Sequence, residues 1–380
     1  MDYGISQKDR EWIAELRIKL EKKLRAECVR CAHIIPNEIA DGGSYEDTEN
    51  VFWWTNGFWS GMLWQMYSAT GEELFKETAR FTEKRMDRAL ELFEGLDHDT
   101  GFMFLHSAVA DYRLTGDKDA YRRGIHAANI LAGRFNPLGG YIRAWNPAYD
   151  TENGTLGLFI VDCMMNLPLL FWAYGETGDP RFMGIAKAHA DKTLELTLRP
   201  DGSANHKVVC DPQTGEFISA PAGQGYSVGS SWSRGQSWAI YGMALAAKYT
   251  GEQKYLDAAK RTAHYFLACA ADTDYLPLAD FRAPAEPVVY DTTAGMCAVC
   301  GLLEISQQVG EYERRLYVNG ALKLLRAMTD RFCCWDPQKD GVTDHCTRAY
   351  NDGRHIHIIY GDYFLTEAIL RLSGGSFEIW

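Results

Sequence analysis

Residues 174–190, "YGETGDPRFMGIAKAHA", decide the fold. A segment rich in aromatic and apolar residues runs up to Thr177-Gly178, an acid follows, and a second, amphipathic segment begins. Glycine there supplies a left-handed helix C-cap, and the acid beyond it favours the N-terminus of a new helix. The stretch therefore reads as the turn of a helical hairpin. The same spelling recurs in "YSATGEELFKETA" from residue 67, "YRLTGDKDAYRRGIHAA" from 112 and "KYTGEQKYLDAAKRTA" from 248. A weaker copy, "QQVGEYERRLYVNGA", begins at 307, and "LRLSGG" from 370 reads as the start of another.

Six hairpins follow from these six turns, with the glycines 45 to 73 residues apart. The helices before the turns, at about 57–69, 102–114, 157–176, 235–249, 292–308 and 361–372, are apolar on most faces. Those after the turns carry Lys, Arg and Glu on one side only. Six apolar inner helices wrapped by six amphipathic outer ones satisfy this pattern, with residues 7–33 as the outer helix that opens the ring. An open solenoid is the alternative, but neither the first nor the last unit has an obviously polar capping face. With no Pro/Ser-rich linker and no run of alternating strands, the expectation is one all-α domain over 1–380.

Composition narrows the partners. A net charge of −12 over 380 residues argues against a general binder of nucleic acid or of a membrane surface, though not against a local basic pocket. The apolar run 156–174 is long enough to suggest a membrane span, but Asp162, Asn166 and Pro168 interrupt it, and a helix buried on every side fits better. The start of the chain lacks a basic region followed by an apolar one, so the expected location is cytoplasmic. Ten scattered cysteines suit a reducing compartment. Cys28/Cys31 and Cys297/Cys300 form CxxC pairs on helical segments with no second pair at zinc-finger spacing. They read as buried thiols, and neither a metal nor a cofactor is expected.

In a ring of parallel inner helices the N-terminal ends gather at one mouth. The segments preceding those helices include "FWWTNGFW" (52–59), "LDHDTGF" (96–102), "RAWNPAYDTENG" (143–154), "GSSWSRGQSW" (229–238), "PVVYDTTAG" (287–295) and "RHIHIIYGDYF" (354–364). Acids, Trp, Tyr and His converge there. Taken alone, Asp99 is better explained as a helix cap, a task Asp97 could do equally well. Asp162 sits within the apolar 157–176 segment, where an unpaired carboxylate would be costly and would favour its protonated form. A partner such as Asn166 and a role as general acid account for it equally. Trp53, Trp54, Trp59, Trp232 and Trp238 are individually core candidates and together a platform for sugar rings. Arg234 can clamp a ligand carboxylate or pair with a nearby acid. His206 and Gln224 fall in loops, where ordinary surface polarity also explains them.

The ordered motifs "TNGFWSGMLW", "LDHDTGF", "DCMMNLPLLFWA", "SSWSRGQSWAIYG", "CGLLEI" and "YGDYFLTEAILRL" resemble the unsaturated glucuronyl hydrolases, glycoside hydrolase family 88, in register from about 50 to 372. The resemblance implies an (α/α)6 barrel and a substrate left by polysaccharide lyases: an oligosaccharide bearing a 4,5-unsaturated uronate at its non-reducing end. It further implies Asp162 as catalytic acid/base, Asp99 as the second essential carboxylate, and Trp54, His206, Gln224, Trp232, Arg234 and Trp238 as uronate-binding residues. Asn56 stands where the family often has an acid and is given no role; Tyr360 stands where Trp is usual.

The implied chemistry differs from that of an ordinary glycosidase, which uses one carboxyl to protonate the leaving oxygen and another as nucleophile or base. A 4,5-unsaturated uronate is a vinyl ether. A proton delivered to C4 leaves an oxocarbenium-like C5, water adds there, and the hemiketal opens to release the next sugar. One carboxyl with a raised pKa can give the first proton and take one from the water. Competing readings are an unsaturated rhamnogalacturonyl hydrolase, a sugar epimerase using His355 and His357, and a non-catalytic carbohydrate-binding toroid. The 337–358 stretch, with Arg348, Arg354, His355 and His357, reads as a solvated surface or as a reader of an anion on the neighbouring sugar. No signature indicates an oligomeric state.

Overall fold

Four of the turns share one hydrogen-bond design, which explains the Thr-Gly-acid spelling. The Thr70 hydroxyl donates to the Met66 carbonyl at 2.8 Å and accepts the Glu72 N–H at 3.2 Å. Thr115, Thr177 and Thr250 repeat both bonds. Each threonine thus ties the last turn of one helix to the residue that starts the next. Gly71, Gly116, Gly178 and Gly251 lie between them at φ 72°, 76°, 69° and 71°, the left-handed region that a Cβ disfavours. The acids then divide by length. Asp117 and Asp179 cap the following helix through their own carboxylates. The longer Glu72 reaches Arg25, and Glu252 reaches Lys187 and Lys254, so these turns are also fastened to the neighbouring outer helix. The weaker copy differs: Gly310 has φ −66° and serves as an N-cap.

The computed structural model describes residues 3–39, 43–146, 155–375 and 377–380. Helix α1 (Gln7–Arg30) opens the outer layer. It is followed by the pairs α2 (Asn56–Thr70) and α3 (Glu73–Leu92), then α4 (Thr100–Phe104) and its continuation α5 (Ala110–Thr115) with α6 (Lys118–Ala132), and α7 (Leu167–Thr177) with α8 (Pro180–Leu196). The pairs α9 (Ser233–Thr250) with α10 (Gln253–Ala271) and α11 (Thr292–Gln308) with α12 (Glu311–Arg331) come next, and α13 (Ile359–Leu372) is the last inner helix. Helix α13 packs on both α11 and α2, closing an inner ring of six, while α1 lies against α13 and α3. This is the expected (α/α)6 barrel.

Two inner helices depart from expectation. Between α4 and α5 the chain makes a π-helical turn at Leu105–Val109. There His106 Nδ1 meets the Phe102 carbonyl at 2.7 Å and Ser107 Oγ donates to the Met103 carbonyl at 2.7 Å, so side chains compete for the helical acceptors. The third inner helix is shorter than the expected 157–176. It starts only at Leu167, after a strand and a 3-10 turn (Val161–Met165). The run Leu158–Ile160 is aromatic and β-branched enough to pair instead, and Pro168 suits the first turn of a helix that begins beside it.

The short strands all lie outside the helical layers. They are β1 (Glu38–Ile39), β2 (Phe135–Asn136), β3 (Tyr141–Ile142), β4 (Leu158–Ile160), β5 (Lys207–Cys210), β6 (Phe217–Ser219) and β7 (His357–Ile358). Strand β5 pairs antiparallel with both β4 and β6, β2 with β3, and β1 with β7. Gly157 permits the close approach at the start of β4, since a Cβ there would stand 1.8 Å from the Cys210 carbonyl oxygen. Asp162 is therefore carried on a turn that follows a strand, not inside a helix.

The far end of the barrel is filled by an ionic and aromatic plug. Arg371 Nη2 lies 3.0 Å from Glu304, Nη1 lies 3.4 Å from Glu367, and Nε donates to the Tyr3 hydroxyl at 3.1 Å. Trp380 donates to Glu367 at 2.8 Å and lies parallel to Phe364 with centroids 6.1 Å apart. All ten cysteines are free thiols, and both CxxC pairs are buried. Among the described residues no helix is long and apolar enough to cross a membrane.

Candidate active site

The mouth formed by the N-terminal ends of the inner helices holds a cavity of about 280 Å³, lined by Trp53, Trp54, Trp145, Asp97, Asp99, Asp162 and Gln224 together with Asn50, Phe52, Gly95 and Ile160. Carboxylates and aromatic rings thus share this wall, the mix of groups a sugar site uses. Asp99 stands at the N-cap position of α4, yet its side chain caps nothing. Asn166 accepts the Phe102 N–H at 2.6 Å in its place, and Asp97 accepts the Asp99 N–H at 2.9 Å. The capping explanation of Asp99 therefore fails, while Asp97 is engaged locally.

Burial drives the Asp99 carboxyl well above the usual carboxylate range, and the negative charges of Asp97 and Asp162 add to the rise. Desolvation likewise lifts Asp97 to about 6. His98 is fully buried with its Nε2 3.5 Å from Asp99 Oδ1. Burial holds it neutral, well below the ordinary histidine range, and the Arg134 charge acts in the same direction. Among the described residues Asp97, His98 and Asp99 are the one set of donor atoms close enough for a cation, all within 4.8 Å. Asp97 Oδ1 is taken by the Asp99 N–H and Asp99 Oδ1 by the Asn166 amide at 3.3 Å, and we assign no ion to them.

Asp162 faces His206. The Gln224 N–H donates to His206 Nδ1 at 3.0 Å, which places the imidazole proton of the neutral ring on Nε2. That Nε2 lies 3.3 Å from Asp162 Oδ1 but out of line for a hydrogen bond, so both atoms are buried without a partner. Buried polar atoms without partners are rare, and here they meet at the cavity wall. Trp232 packs on His206 with centroids 4.3 Å apart, and the Arg234 guanidinium lies 4.5 Å from the Trp232 ring.

A family profile described as Glycosyl Hydrolase Family 88 matches residues 28–247. An unsaturated glucuronyl hydrolase from Bacillus sp. (strain GL1) is 39% identical over 352 residues, covering 90% of this chain and 92% of that protein. The chain belongs to glycoside hydrolase family 88. It is accordingly a glycosidase. An unsaturated chondroitin disaccharide hydrolase from Streptococcus pneumoniae is 32% identical, covering 84% of this chain and 81% of that one. The crystal structure of unsaturated glucuronyl hydrolase from Bacillus sp. GL1, described as responsible for the degradation of glycosaminoglycan, superposes with a TM-score of 0.88 at 36% identity, covering 93% of this chain and 94% of that one.

Within this family 88 barrel the expected residues fall into two groups. Trp54, Asp99, Asp162 and Gln224 line the cavity, and His206 reaches it through Asp162. Trp232, Arg234 and Trp238 do not line it. Arg234 is 1% exposed, pairs with Asp291 at 2.9 Å and donates to the carbonyls of Thr347 and Arg348, so of the two expected roles the structure places it with the acid. Trp238 is fully buried beneath the mouth, 5.3 Å from the Phe102 ring. Trp59 is also core.

Several residues were not foreseen. Trp145 belongs to a motif quoted for the mouth, but only the fold places its ring on the cavity; residues 147–154 of that motif lie outside the described residues. Asn56, given no role, donates to the carbonyl of the lining residue Asn50 at 3.0 Å. Neither His355 nor His357 lines the cavity, and His355 accepts the Tyr290 N–H at 3.0 Å. In the 337–358 stretch Arg348 pairs with Glu38 at 2.6 Å and Asp352 at 3.0 Å, while its carbonyl accepts the Gln224 side chain at 2.8 Å. The stretch thus braces the wall that holds Gln224.

The raised Asp99 acid has a stability consequence. The folded state binds its proton more tightly than the unfolded chain does, whose aspartates titrate near about 3.9. Asp99 thus lowers stability increasingly as pH rises above that value toward its folded pKa. Asp99→Asn is expected to raise the urea midpoint at pH 8 and to change it much less near pH 4. A midpoint shift independent of pH would contradict the assignment.

Proposed function

We propose that this enzyme removes a 4,5-unsaturated uronate from the non-reducing end of lyase-generated glycosaminoglycan fragments by hydrating the C4=C5 vinyl ether. The single observation that carries the reading is Asp162, its Oδ1 unpartnered at the cavity wall, facing the Nε2–H of an imidazole whose tautomer is set from behind. Asp162 protonates C4 and then takes a proton from the water that adds at C5. The hemiketal opens to a C5 ketone, and the hemiacetal left at C1 expels the next sugar.

Asp99, whose burial favours its protonated form, stands beside Asp162 and bonds sugar or water. His206 orients the Asp162 carboxyl, and Trp54, Trp53 and Trp145 offer ring faces to the sugar. Arg234 acts through the wall: it stacks on Trp232 and shares the Arg348 carbonyl with Gln224, which puts it behind the uronate-binding surface. The relatives named for unsaturated glucuronyl and unsaturated chondroitin disaccharide hydrolysis support the substrate class.

The test follows the double bond and the released sugar together on unsaturated chondroitin and hyaluronan disaccharides. Vinyl ether hydration loses the ultraviolet band of the unsaturated uronate in step with sugar release. Release with the band intact indicates ordinary glycosidic cleavage and rejects the mechanism. Turnover only of rhamnogalacturonan fragments rejects the substrate class, and turnover of none of these rejects the proposed reaction.

A further inference from the structure

Asn166 joins the Asp99 carboxylate to the backbone of the turn that carries Asp162. It is fully buried at the N-cap position of α7, immediately after the 3-10 turn that carries Asp162. Its Oδ1 accepts the Phe102 N–H at 2.6 Å, and that donor fixes which end of the amide is oxygen. The Nδ2 end then lies 3.3 Å from Asp99 Oδ1 and 3.5 Å from the Asp162 carbonyl oxygen. Gly101 makes the room: a Cβ there would stand 2.6 Å from both Asn166 Cα and Oδ1. Helix α4 is thus capped from another element.

An aspartate at an N-cap position normally spends its carboxylate on the N–H groups of the first turn. Here that task has been transferred to Asn166, and Asp99 is left facing the cavity with an N–H donor at its back. We propose that Asn166 is a positioning residue for hydrolysis, which frees Asp99 from capping and holds it in register with the turn bearing Asp162. The proposal rests on the roles given above to Asp99 and Asp162.

Two variants separate this from simple packing. Asn166→Asp keeps the shape and the acceptor for Phe102 but removes the donor to Asp99; Asn166→Ser is too short to span the frame and carries no new charge. Both are expected to lower kcat by about 10- to 100-fold, the scale of a misplaced reacting group, with KM within about twofold of wild type. The pH profile should move as well. Asp97, Asp162, His98, Cys163 and Arg134 act electrostatically on Asp99, while His206, Cys163, Arg234 and Tyr360 do so on Asp162. The Asn166 donor is the group favouring ionised Asp99 that Asn166→Ser deletes, so the basic limb of kcat/KM is expected at higher pH in that variant.

Thermal melts of both variants accompany the kinetics, so that an unfolded Asn166→Asp leaves Asn166→Ser to decide. A folded variant with wild-type kcat and an unmoved profile overturns the proposal. Asp162→Asn and Asp99→Asn assayed alongside make the source of failure visible: if they lose turnover while the Asn166 variants do not, only the positioning role falls. If they too retain it, the assignment of the carboxylates falls first and takes the proposal with it.

Discussion

Asp162→Asn is expected to reduce kcat/KM on an unsaturated disaccharide by about 10²–10⁴-fold, the range that a positioned acid/base contributes, with KM within a few-fold of wild type. The amide keeps the volume and polarity of the carboxyl, so the contact with His206 Nε2 and the packing of the turn survive. What is lost is the capacity to give and take a proton. A loss confined to kcat would mean that Asp162 acts in the transition state, whereas a rise in KM at constant kcat would make it a binding residue. Retention of a tenth or more of wild-type turnover would remove Asp162 from the mechanism. Residual sugar affinity in the inactive variant is expected, because the aromatic wall is untouched.

Arg371→Met is expected to cost about 3–5 kcal/mol of stability, as removal of one member of a buried ion pair does when its partners stay charged. Arg371 is 3% exposed and serves Glu304, Glu367 and Tyr3 at once, with the Tyr241 hydroxyl also within 3.2 Å of Nη1. Methionine fills the space of the aliphatic stem but takes the guanidinium from three carboxylates, Glu304, Glu367 and Glu378, and leaves Glu367 without a cation while Lys248 still reaches the other two. The urea midpoint should fall steeply while kcat of the folded fraction stays near wild type, since these groups occupy the end of the barrel away from the cavity. A midpoint within error of wild type would show that the plug does not hold the barrel closed. The paired outcomes, activity lost without stability at Asp162 and stability lost without activity at Arg371, place chemistry and closure at opposite ends.

How legible each part was depended on whether its signal was local. The Thr-Gly-acid turns carry their whole explanation within seven residues, hydroxyl to carbonyl and N–H to hydroxyl, so the hairpins and the ring could be read from spelling. The 157–176 segment could not, because a short apolar run is compatible with helix or strand until its pairing partner, Lys207–Cys210, is known. That error misplaced the premise about Asp162, though its presence at the mouth survived. The closing plug was illegible for the same reason in stronger form: Trp380 meets Glu367 and His106 across the fold, and nothing in the last few residues announces it. At the site, Asp99 looked like a cap because its own neighbours permit that, and only the distant Asn166 shows the capping task to be filled.

The aromatic floor beneath the cavity, where Trp238, Phe102, Phe364 and Trp380 pack ring to ring, turns the barrel into a blind well. Under the proposed reaction the substrate enters terminus first, its uronate end lowered into the well. An enzyme built this way counts chain ends rather than chain length, so its rate on a mixture of fragments should track their molar concentration and not their mass. Under that proposal arriving substrate and departing uronate also share one doorway, and the freed sugar is expected to compete for entry.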